Sequence, residues 1–429
     1  MATENPNAIV ERRLGNLSNP MRAARITFFV LALLASVGTQ AAPPRAEVMH
    51  WWTAGGESAA VRALADAYRA AGGVWVDTAV AGSEQARAVA VSRIVGGQPP
   101  TAALFNTSKQ FLDLIDGELL GTVDAVAARD GWDRTLPEPI LATIRVRGHY
   151  YAAPVSIHMP TWIWYSKAAF RKAGVTSEPA TIPELFAAFD RLKAAGLIPL
   201  AHGGQPWQEN ILFRAMLANV GGRDLYLKVL RDRDPRAIQS EAFKNVLLTF
   251  KRLKAYVDVG APGRNWNDAT ALLITGKAGV QIMGDWVKAE FAVARQLPER
   301  DYGCIAGLSP QAPYIVQGDA FVFPKSSNRD VVAAQQLLAH VVTSPAAQVA
   351  FSKQKGSIPI GKGFDSATLD ACTRKGLALM ADPTRVVGND ENYLIPDQNG
   401  ALSDILTTYW NRTLAVEAVQ KLIAVALTR

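Results

Sequence analysis

The chain has 429 residues, 49% of them hydrophobic and 19% charged, and a formal net charge of +7 at pH 7. This length and apolar fraction allow two cores of ordinary size, so two lobes or domains are expected. The positive charge is spread without a Lys/Arg run and no repeat period stands out, which argues against nucleic-acid binding, repeat arrays and low-complexity scaffolds.

An export signal is predicted at the start of the chain. Residues 21–25 include two arginines, and residues 26–37 form an apolar run that is too short to span a bilayer comfortably. Small residues at Ala41 and Ala42, followed by two prolines, suit cleavage near Ala42. We therefore predict a signal peptide within residues 1–42, with an over-long N-terminus before Met21, and a mature protein in the periplasm.

The cysteine and histidine content limits covalent and metal chemistry. An exported protein meets an oxidising compartment, yet Cys304 and Cys372 permit at most one disulfide. No metal-ligand spacing accompanies His158 or His202, whose expected roles are packing or hydrogen bonding to the backbone. We therefore expect no metal and no cofactor.

Strands and helices alternate in the first part of the mature chain. The predicted elements are strand 47–52, helix 58–71, strand 74–81, helix 84–95, strand 102–106 and helix 108–116. This alternation predicts a parallel sheet covered by helices on both faces. Because ligands bind outside the carboxyl ends of such strands, Trp51, Trp52, Gly82, Ser83 and Asn106 are expected to converge on one crevice.

The remainder of the chain predicts a second lobe and a hinge. A strand-like stretch at 150–165 precedes helices 182–195, 208–219, 240–257 and 269–276, strand 278–283, helix 287–295, strand 319–323 and helix 331–343. We predict an N-terminal lobe of residues 45–155 and 320–362 and a C-terminal lobe of residues 156–319 and 363–429. Because the chain crosses between lobes more than once, a hinge of crossing strands is expected.

Tandem tryptophans at the end of the first strand indicate the chemistry of a carbohydrate site. A sugar presents C–H patches and hydroxyl groups, so its site needs aromatic faces beside planar polar side chains. Trp51 and Trp52, with Glu57 at the start of the following helix, supply both. The alternative is that the tryptophans only pack in the core, where large aromatic residues are often buried.

Four segments together resemble a known family. They are residues 51–57 (WWTAGGE), 201–208 (AHGGQPWQ), 276–286 (GKAGVQIMGDW) and 355–359 (KGSIP). In this order, behind a signal peptide, they are similar to the periplasmic glucose-binding proteins of bacterial ABC importers, within extracellular solute-binding protein family 1. The resemblance implies an α/β clamshell of the maltose-binding type (type II), with parallel-rich sheets flanked by helices. Such a protein captures a monosaccharide between two lobes and delivers it to membrane permease subunits. A monomer is expected.

The same resemblance implies roles for individual residues. Trp51 and Trp52 stack on the sugar, Glu57 accepts hydrogen bonds from hydroxyls and Lys355 donates to them. Asp285 and Trp286 close over the ligand from the second lobe, opposite Trp207 and Trp266. Gln85, Asn106 and Asp319 are further candidates because of their strand-end or crossover positions. The complete predicted set is Trp51, Trp52, Glu57, Gln85, Asn106, Trp207, Trp266, Asp285, Trp286, Asp319, Lys355 and Gln398. As alternatives, Asp285 caps the helix that begins at Val287, and Lys355 is a solvated surface lysine.

Two positions depart from the glucose-binding pattern. Asn106 stands where these relatives tend to carry a lysine, and Gln398, in the segment 396–400, stands where they carry a histidine. Neutral amides still donate and accept hydrogen bonds, but they change which hydroxyl pattern leaves no buried group unpaired. The identity of the sugar therefore does not follow from the resemblance.

Two other functions remain open at the level of sequence. A secreted glycoside hydrolase also has a tryptophan-rich crevice and two carboxylates, parts that Glu57 and Asp285 could take. Against it, the sequence contains no Gly-x-Ser-x-Gly, no His-Glu-x-x-His and no phosphate-binding glycine loop. A loaded binding protein could instead address a chemoreceptor, which would recognise the same closed form as a permease.

Overall fold

The computed structural model describes residues 42–106, 108–361 and 364–428. From Pro44 onward the chain forms one compact unit. The predicted signal peptide lies outside the described residues, apart from its last position, Ala42. Within the described ranges, no helix is long and apolar enough to cross a membrane.

The structure has a strand at each of the six predicted stretches, and it adds short strands at Arg145–Val146, Ile198–Leu200, Tyr302–Ile305 and Val386–Gly388, where none is predicted. The strands are β1 (Arg45–His50), β2 (Val74–Ala79), β3 (Ala102–Phe105), β4 (Arg145–Val146), β5 (His149–Tyr150), β6 (Ala152–His158), β7 (Trp162–Ser166), β8 (Ile198–Leu200), β9 (Ala278–Met283), β10 (Tyr302–Ile305), β11 (Tyr314–Val322) and β12 (Val386–Gly388).

The first half of the chain contains its five predicted helices and four short ones between residues 124 and 172 that the sequence did not predict. They are α1 (Gly55–Ala70), α2 (Ser83–Val95), α3 (Ser108–Asp116), α4 (Asp124–Asp130), α5 (Trp132–Thr135), α6 (Glu138–Ile144), α7 (Lys167–Lys172), α8 (Ile182–Ala194) and α9 (Pro206–Leu230). In α1, Val61, Leu64, Ala65 and Tyr68 are all buried, as their helical spacing predicts. Helix α9 runs past its predicted end at residue 219 and contains a kink at Gly222.

The later helices are α10 (Pro235–Ile238), α11 (Glu241–Leu253), α12 (Trp266–Ile274), α13 (Val287–Val293), α14 (Arg329–Thr343), α15 (Pro345–Lys355), α16 (Ala371–Met380), α17 (Pro396–Asn411) and α18 (Val416–Thr428). Short 3₁₀ helices lie at Lys254–Tyr256, Ser366–Thr368 and Asp390–Asn392.

The first sheet has the strand order β12-β11-β3-β1-β2, and β6 pairs with β11. Strand β1 is parallel to both β2 and β3, as the alternation of strands and helices predicts. Strand β11 is antiparallel to β3 and to β6, so the sheet is mixed. The register between β11 and β6 shifts between Asp319 and Ala320, opposite Pro154. A bulge suits this position because proline cannot donate a ladder hydrogen bond.

The second sheet has the strand order β10-β7-β9-β8. Strand β7 is antiparallel to β9 and to β10, and only β8 and β9 run parallel. Helices α8, α9 and α12 pack on this sheet, while α14 packs on β1 and β6 of the first. The parallel arrangement expected for both sheets therefore holds for the β2-β1-β3 part of the first sheet and for one pair of the second.

Two connections link the sheets. The predicted strand-like stretch at 150–165 contains β6 of the first sheet and β7 of the second, and the chain returns from β10 to β11. The predicted lobe boundaries at 155/156 and 319/320 fall inside β6 and β11, which are the crossing strands themselves. Strand β12, predicted in the C-terminal lobe, pairs with β11 in the first sheet. The division into lobes by residue number stays a prediction.

The two cysteines are joined. A disulfide links Cys304 on β10 to Cys372 on α16, with the Cα atoms 6.1 Å apart. The bond ties the edge of the second sheet to a helix 68 residues further along the chain. The single disulfide that the cysteine count permits is therefore formed.

Candidate functional site

A cavity of about 1040 Å³ lies between the two sheets. Its first wall comes from the ends of β1 and β3 and the helices that follow them, and its second wall comes from the starts of α9 and α12. Five tryptophans line it: Trp51, Trp52, Trp207, Trp266 and Trp286. The strand ends therefore meet at one crevice, as the sequence predicts.

The tandem tryptophans occupy different environments. Trp51 is half-buried, and the guanidinium of Arg87 lies 5.6 Å from its ring centre. Trp52 is 1% exposed, stacks on His50 at 5.8 Å and packs against Phe351 at 5.2 Å. Trp51 therefore offers a ring surface to a ligand, whereas Trp52 mainly builds the cavity floor. The resemblance implies that both indoles stack on the sugar, and for Trp52 this does not fit a ring that the protein almost completely covers.

The second wall is shaped by a close backbone approach. The backbone N–H of Gly204 donates to the carbonyl of Ala261 at 2.7 Å, and a Cβ on Gly204 would lie 2.6 Å from the Cα of Pro262. Only glycine fits at this distance. The contact brings the start of α9 beside the start of α12, and with them Trp207 and Trp266, both half-buried.

Trp286 lies over the strand end that precedes it. A Cβ on Gly284 would be 2.2 Å from the indole ring, so the ring rests against bare backbone. The Nζ of Lys355 lies 5.7 Å from the centre of this ring and 5.8 Å from that of Trp52. The ammonium group therefore lies within cation–π distance of indoles on two different segments of the chain.

Lys355 and Glu57 form a buried ion pair. The Nζ of Lys355 donates to Oε1 of Glu57 at 2.8 Å, and the two residues are 2% and 7% exposed. Glu57 lies in the first turn of α1, where the helix dipole favours a negative charge. Lys355 is not the solvated surface lysine of the alternative interpretation. An ammonium group has three donors, so Lys355 keeps others for a ligand.

Asp319 is held by side chains from two other strands. Its Oδ1 accepts from Nδ2 of Asn106 at 2.7 Å, and its Oδ2 accepts from Oγ of Ser156 at 2.9 Å. The amide of Asn106 also accepts from Nη1 of Arg87 at 3.1 Å. Because all four residues are hydrogen-bonded, Asn106 and Asp319 present fixed orientations to the cavity that both of them line.

His158 connects Asp319 to Asp285. Its Nε2 lies 3.2 Å from Oδ2 of Asp319, and its Nδ1 is hydrogen-bonded to Oδ1 of Asp285. The backbone N–H of Met159 donates to Oδ2 of Asp285 at 3.1 Å. His158 lines the cavity, whereas Asp285 is buried behind it. The expected role of His158 in packing or backbone hydrogen bonding is wrong, because both ring nitrogens face carboxylates.

Burial and neighbouring charges act in opposite directions on the pKa values of His158 and Asp319. Burial by itself lowers the pKa of His158, but the negative charge of Asp285 and then Asp319 outweighs it, and the pKa lies above its ordinary value. Burial by itself raises the pKa of Asp319, but the hydrogen bond from His158 and the charges of His158 and Lys355 hold it below its ordinary value. The raised pKa of His158 and the lowered pKa of Asp319 both favour an imidazolium beside an ionised Asp319.

A second polar cluster lies on the cavity wall and was missed at the level of sequence. Oε1 of Glu391 accepts from Nε2 of Gln110 at 3.2 Å, and Oε2 accepts from Nε2 of Gln317 at 3.1 Å. Beside it, Arg214 pairs with the buried Asp390 at 2.5 Å. Burial and the neighbouring Asp390 raise the pKa of Glu391. No motif marks these residues, because they come from four separate segments.

Two predicted site residues do not line the cavity. Asp285 neither faces a ligand nor caps α13, since its carboxylate is engaged by His158 and Met159. Gln398 is buried, donates to the carbonyl of Leu427 at 3.0 Å and accepts from the N–H of Ile395. Gln398 therefore closes the first turn of α17 against the C-terminal helix. The remaining predicted residues line the cavity: Trp51, Trp52, Glu57, Gln85, Asn106, Trp207, Trp266, Trp286, Asp319 and Lys355.

Comparison with known proteins gives the family. Residues 53–349 match the model of the bacterial extracellular solute-binding proteins. The chain belongs to this family. A protein of Rhizobium meliloti (strain 1021) named "probable sugar-binding periplasmic protein" is 37% identical over 412 residues, which cover 94% of this chain and 99% of the relative. A protein of Brucella melitensis with the same name is 37% identical over 405 residues, covering 93% and 95%.

Solved structures agree with the fold of this solute-binding protein. The bacterial solute receptor AcbH, described as having an exclusive preference for β-D-galactopyranose, superposes with a TM-score of 0.74 at 21% identity, covering 89% of this chain and 97% of the receptor. Maltose-bound MalE3 of T. maritima gives 0.72 at 16% identity, covering 90% and 99%. The expected two-lobed, maltose-binding-like α/β fold is thereby confirmed. Membership of this family also makes the chain a binding protein and not an enzyme, so the hydrolase alternative falls.

Proposed function

We propose that this solute-binding protein captures a neutral sugar in the cavity between its two sheets and delivers it to the permease of an ABC importer from the periplasm. The observation that carries the proposal is the cavity lining, which contains five of the ten tryptophans of the chain beside carboxylate, ammonium and amide groups. Indole faces suit the C–H patches of a sugar ring, and planar polar groups suit its hydroxyls. The relatives named as sugar-binding periplasmic proteins support the same ligand class and compartment.

The pairing of charges favours a neutral ligand. Among the described residues, three buried cationic side chains on the wall each lie against a carboxylate: Lys355 against Glu57, Arg214 against Asp390, and His158 against both Asp319 and Asp285. A charged ligand would have to break such a pair or enter unbalanced, which costs free energy in a buried site. Hydroxyl groups can join these pairs as additional donors and acceptors.

Two ligand sizes are candidates. The resemblance of the sequence to glucose-binding proteins favours a monosaccharide of the glucose type. The cavity volume of about 1040 Å³ lies at the upper end of the roughly 300–1,000 Å³ common for small-molecule sites, which favours a ligand of more than one sugar ring. A ligand that touches both walls stabilises the arrangement in which they face each other, and this closed form is what a permease would recognise.

Calorimetric titration of the mature protein, from residue 43, tests the proposal. The panel contains glucose, galactose and xylose, a disaccharide and a trisaccharide of glucose, and glucuronate as a charged hexose. We expect one neutral sugar to bind with one site per chain and to change the tryptophan fluorescence, and glucuronate to bind at least about tenfold more weakly because of its unpaired charge. Absence of binding to every neutral sugar, or preference for glucuronate, would contradict the proposal. Gel filtration in the same buffer tests the expected monomer.

A further inference from the structure

His158 lies where the two sheets meet at the floor of the cavity. It is the last residue of β6, a strand of the first sheet, and it faces Asp285, which follows β9 of the second sheet. It also faces Asp319 on β11, which lines the cavity. The three residues are 2%, 3% and 5% exposed. A buried histidine between two buried carboxylates has to be explained by its hydrogen bonds.

The hydrogen bonds fix how many protons the imidazole carries. An ionised carboxylate only accepts, so each ring nitrogen that faces one has to donate. Both nitrogens of His158 face carboxylate oxygens, so two ionised carboxylates are satisfied together only by the doubly protonated ring. His50 has the opposite arrangement, because its Nδ1 accepts from the backbone N–H of Trp52 and only its Nε2 faces a carboxylate, that of Asp77.

The Asp319 carboxylate has an acceptor position that its protein partners in the described part of the chain do not use. A carboxylate offers about four lone-pair positions. On Asp319 three are used, by Asn106, Ser156 and His158. One acceptor position therefore remains on a carboxylate that lines the cavity, and a sugar hydroxyl is a suitable donor for it.

We propose that His158 is a positioning residue that, as an imidazolium, holds Asp319 ready to accept a hydrogen bond from the sugar and ties the Asp285–Trp286 segment of the second sheet to the first. This proposal rests on the proposed function. Trp286, next to Asp285, meets the His158 ring edge-to-face at 5.4 Å. Loss of the proton from His158 removes one of its two N–H donors. Either Asp319 or Asp285 then loses its hydrogen bond from the ring, and with Asp285 the position of Trp286 is also affected.

Other ionisable groups around the cluster do not replace His158. Lys355 acts on Asp319 through its charge and is itself paired with Glu57. Burial, together with the charge of Asp285, raises the pKa of the Tyr314 phenol on β11 well above the ordinary value, so this group stays neutral. The pKa of His158 is raised above its ordinary value of 6.5, so this ring is the member of the cluster that gives up a proton as the pH rises through its folded-state pKa.

The test measures sugar affinity by calorimetry between pH 6 and pH 10. The proteins are the wild type, His158→Gln, Asp285→Asn and the control His340→Gln, which changes an exposed histidine paired with Asp130 on the outer surface. For the wild type we expect constant affinity at low pH and a fall of about tenfold or more as His158 loses its proton. His158→Gln should bind about 10- to 100-fold more weakly at pH 6 and show no such fall, because a glutamine amide carries both donors on one nitrogen, whereas the imidazolium donates from two separate nitrogens, and the amide does not titrate.

The two other variants test whether His158 is the group that titrates. Asp285→Asn removes a negative charge that stabilises the imidazolium, so the midpoint of the fall should move to lower pH. His340→Gln should reproduce the wild-type profile. A wild-type affinity that does not change between pH 6 and pH 10, or a His158→Gln variant that keeps the wild-type profile, would overturn the proposal.

A spectroscopic measurement separates this proposal from the proposed function. Nitrogen NMR of the wild-type protein reports the protonation of the His158 ring directly, even if His158→Gln does not fold. We expect both ring nitrogens to be protonated at pH 7, and a neutral ring at that pH would refute the positioning role. If no sugar binds at any pH, the proposed function fails, whatever state the ring is in.

Discussion

Removal of the Lys355 ammonium group should destabilise the protein far more than removal of an ordinary surface lysine charge. The substitution Lys355→Met keeps the apolar stem and leaves Glu57 buried without its partner at 2.8 Å. Breaking a buried ion pair by deleting one member costs about 3–5 kcal/mol, because the remaining charge is uncompensated. With total stabilities of about 5–15 kcal/mol, this loss is a large share of the folding free energy.

The magnitude can be measured by urea unfolding followed by circular dichroism. With an m-value of about 3 kcal/mol per molar urea, the unfolding midpoint should fall by about 1 M or more. The matched control is Lys325→Met, which removes a lysine 63% exposed and 3.5 Å from Glu118, and which should cost less than about 1 kcal/mol. The double variant Glu57→Gln/Lys355→Met should recover part of the loss, since no buried charge is left unpaired.

The control also defines the outcome that refutes this reasoning. If Lys355→Met unfolds at the same urea concentration as Lys325→Met, the pair is hydrated in solution. The double variant would then be no more stable than the Lys355→Met single variant.

Three further predictions concern the cavity wall and the disulfide. Asp319→Asn should weaken sugar binding about 10- to 150-fold in calorimetry, the range for a hydrogen bond to a charged group, and unchanged affinity would remove Asp319 from the site. Gly284→Ala places a Cβ 2.2 Å from the Trp286 indole, so the ring has to move; we expect weaker binding and a changed fluorescence spectrum, and identical spectra would argue against this close approach of ring and backbone. Replacing Cys304 and Cys372 together by serine removes a disulfide between positions 68 residues apart. The free energy of unfolding should fall by about 4 kcal/mol, with little effect on sugar affinity. Equal stability of the oxidised wild type and the variant would contradict this contribution of the disulfide.

The pH dependence of stability follows from the same cluster. The raised pKa of His158 contributes stability that is present below its ordinary value of 6.5 and is lost as the pH rises through the folded-state value. The lowered pKa of Asp319 contributes stability that is present above its ordinary value of 3.8 and is lost as the pH falls. Between pH 3.8 and pH 6.5 both contributions are present, so the stability from this cluster is complete in the mildly acidic range.

Local patterns determined much of this protein in advance. Helix α3 (Ser108–Asp116) and strand β9 (Ala278–Met283) have their predicted bounds, and α1 buries its predicted face. Periodicity and strand-end positions depend on near neighbours in the chain, so the sequence contains them. For the same reason Trp51, Trp52 and Asn106 were found at strand ends, whereas Trp286 and Lys355 came from the resemblance to the glucose-binding family.

Only the tertiary structure decided which of these groups meet. His158 bonds to Asp285, 127 residues away, and to Asp319, 161 residues away, and no local pattern contains either distance. The same holds for the Glu391 cluster, the antiparallel pairing of β7 with β9, and the burial of Trp52 beside a half-exposed Trp51. Hydrogen bonds and burial act on atoms that are close in space, and proximity between distant segments is fixed only once the two sheets have packed together.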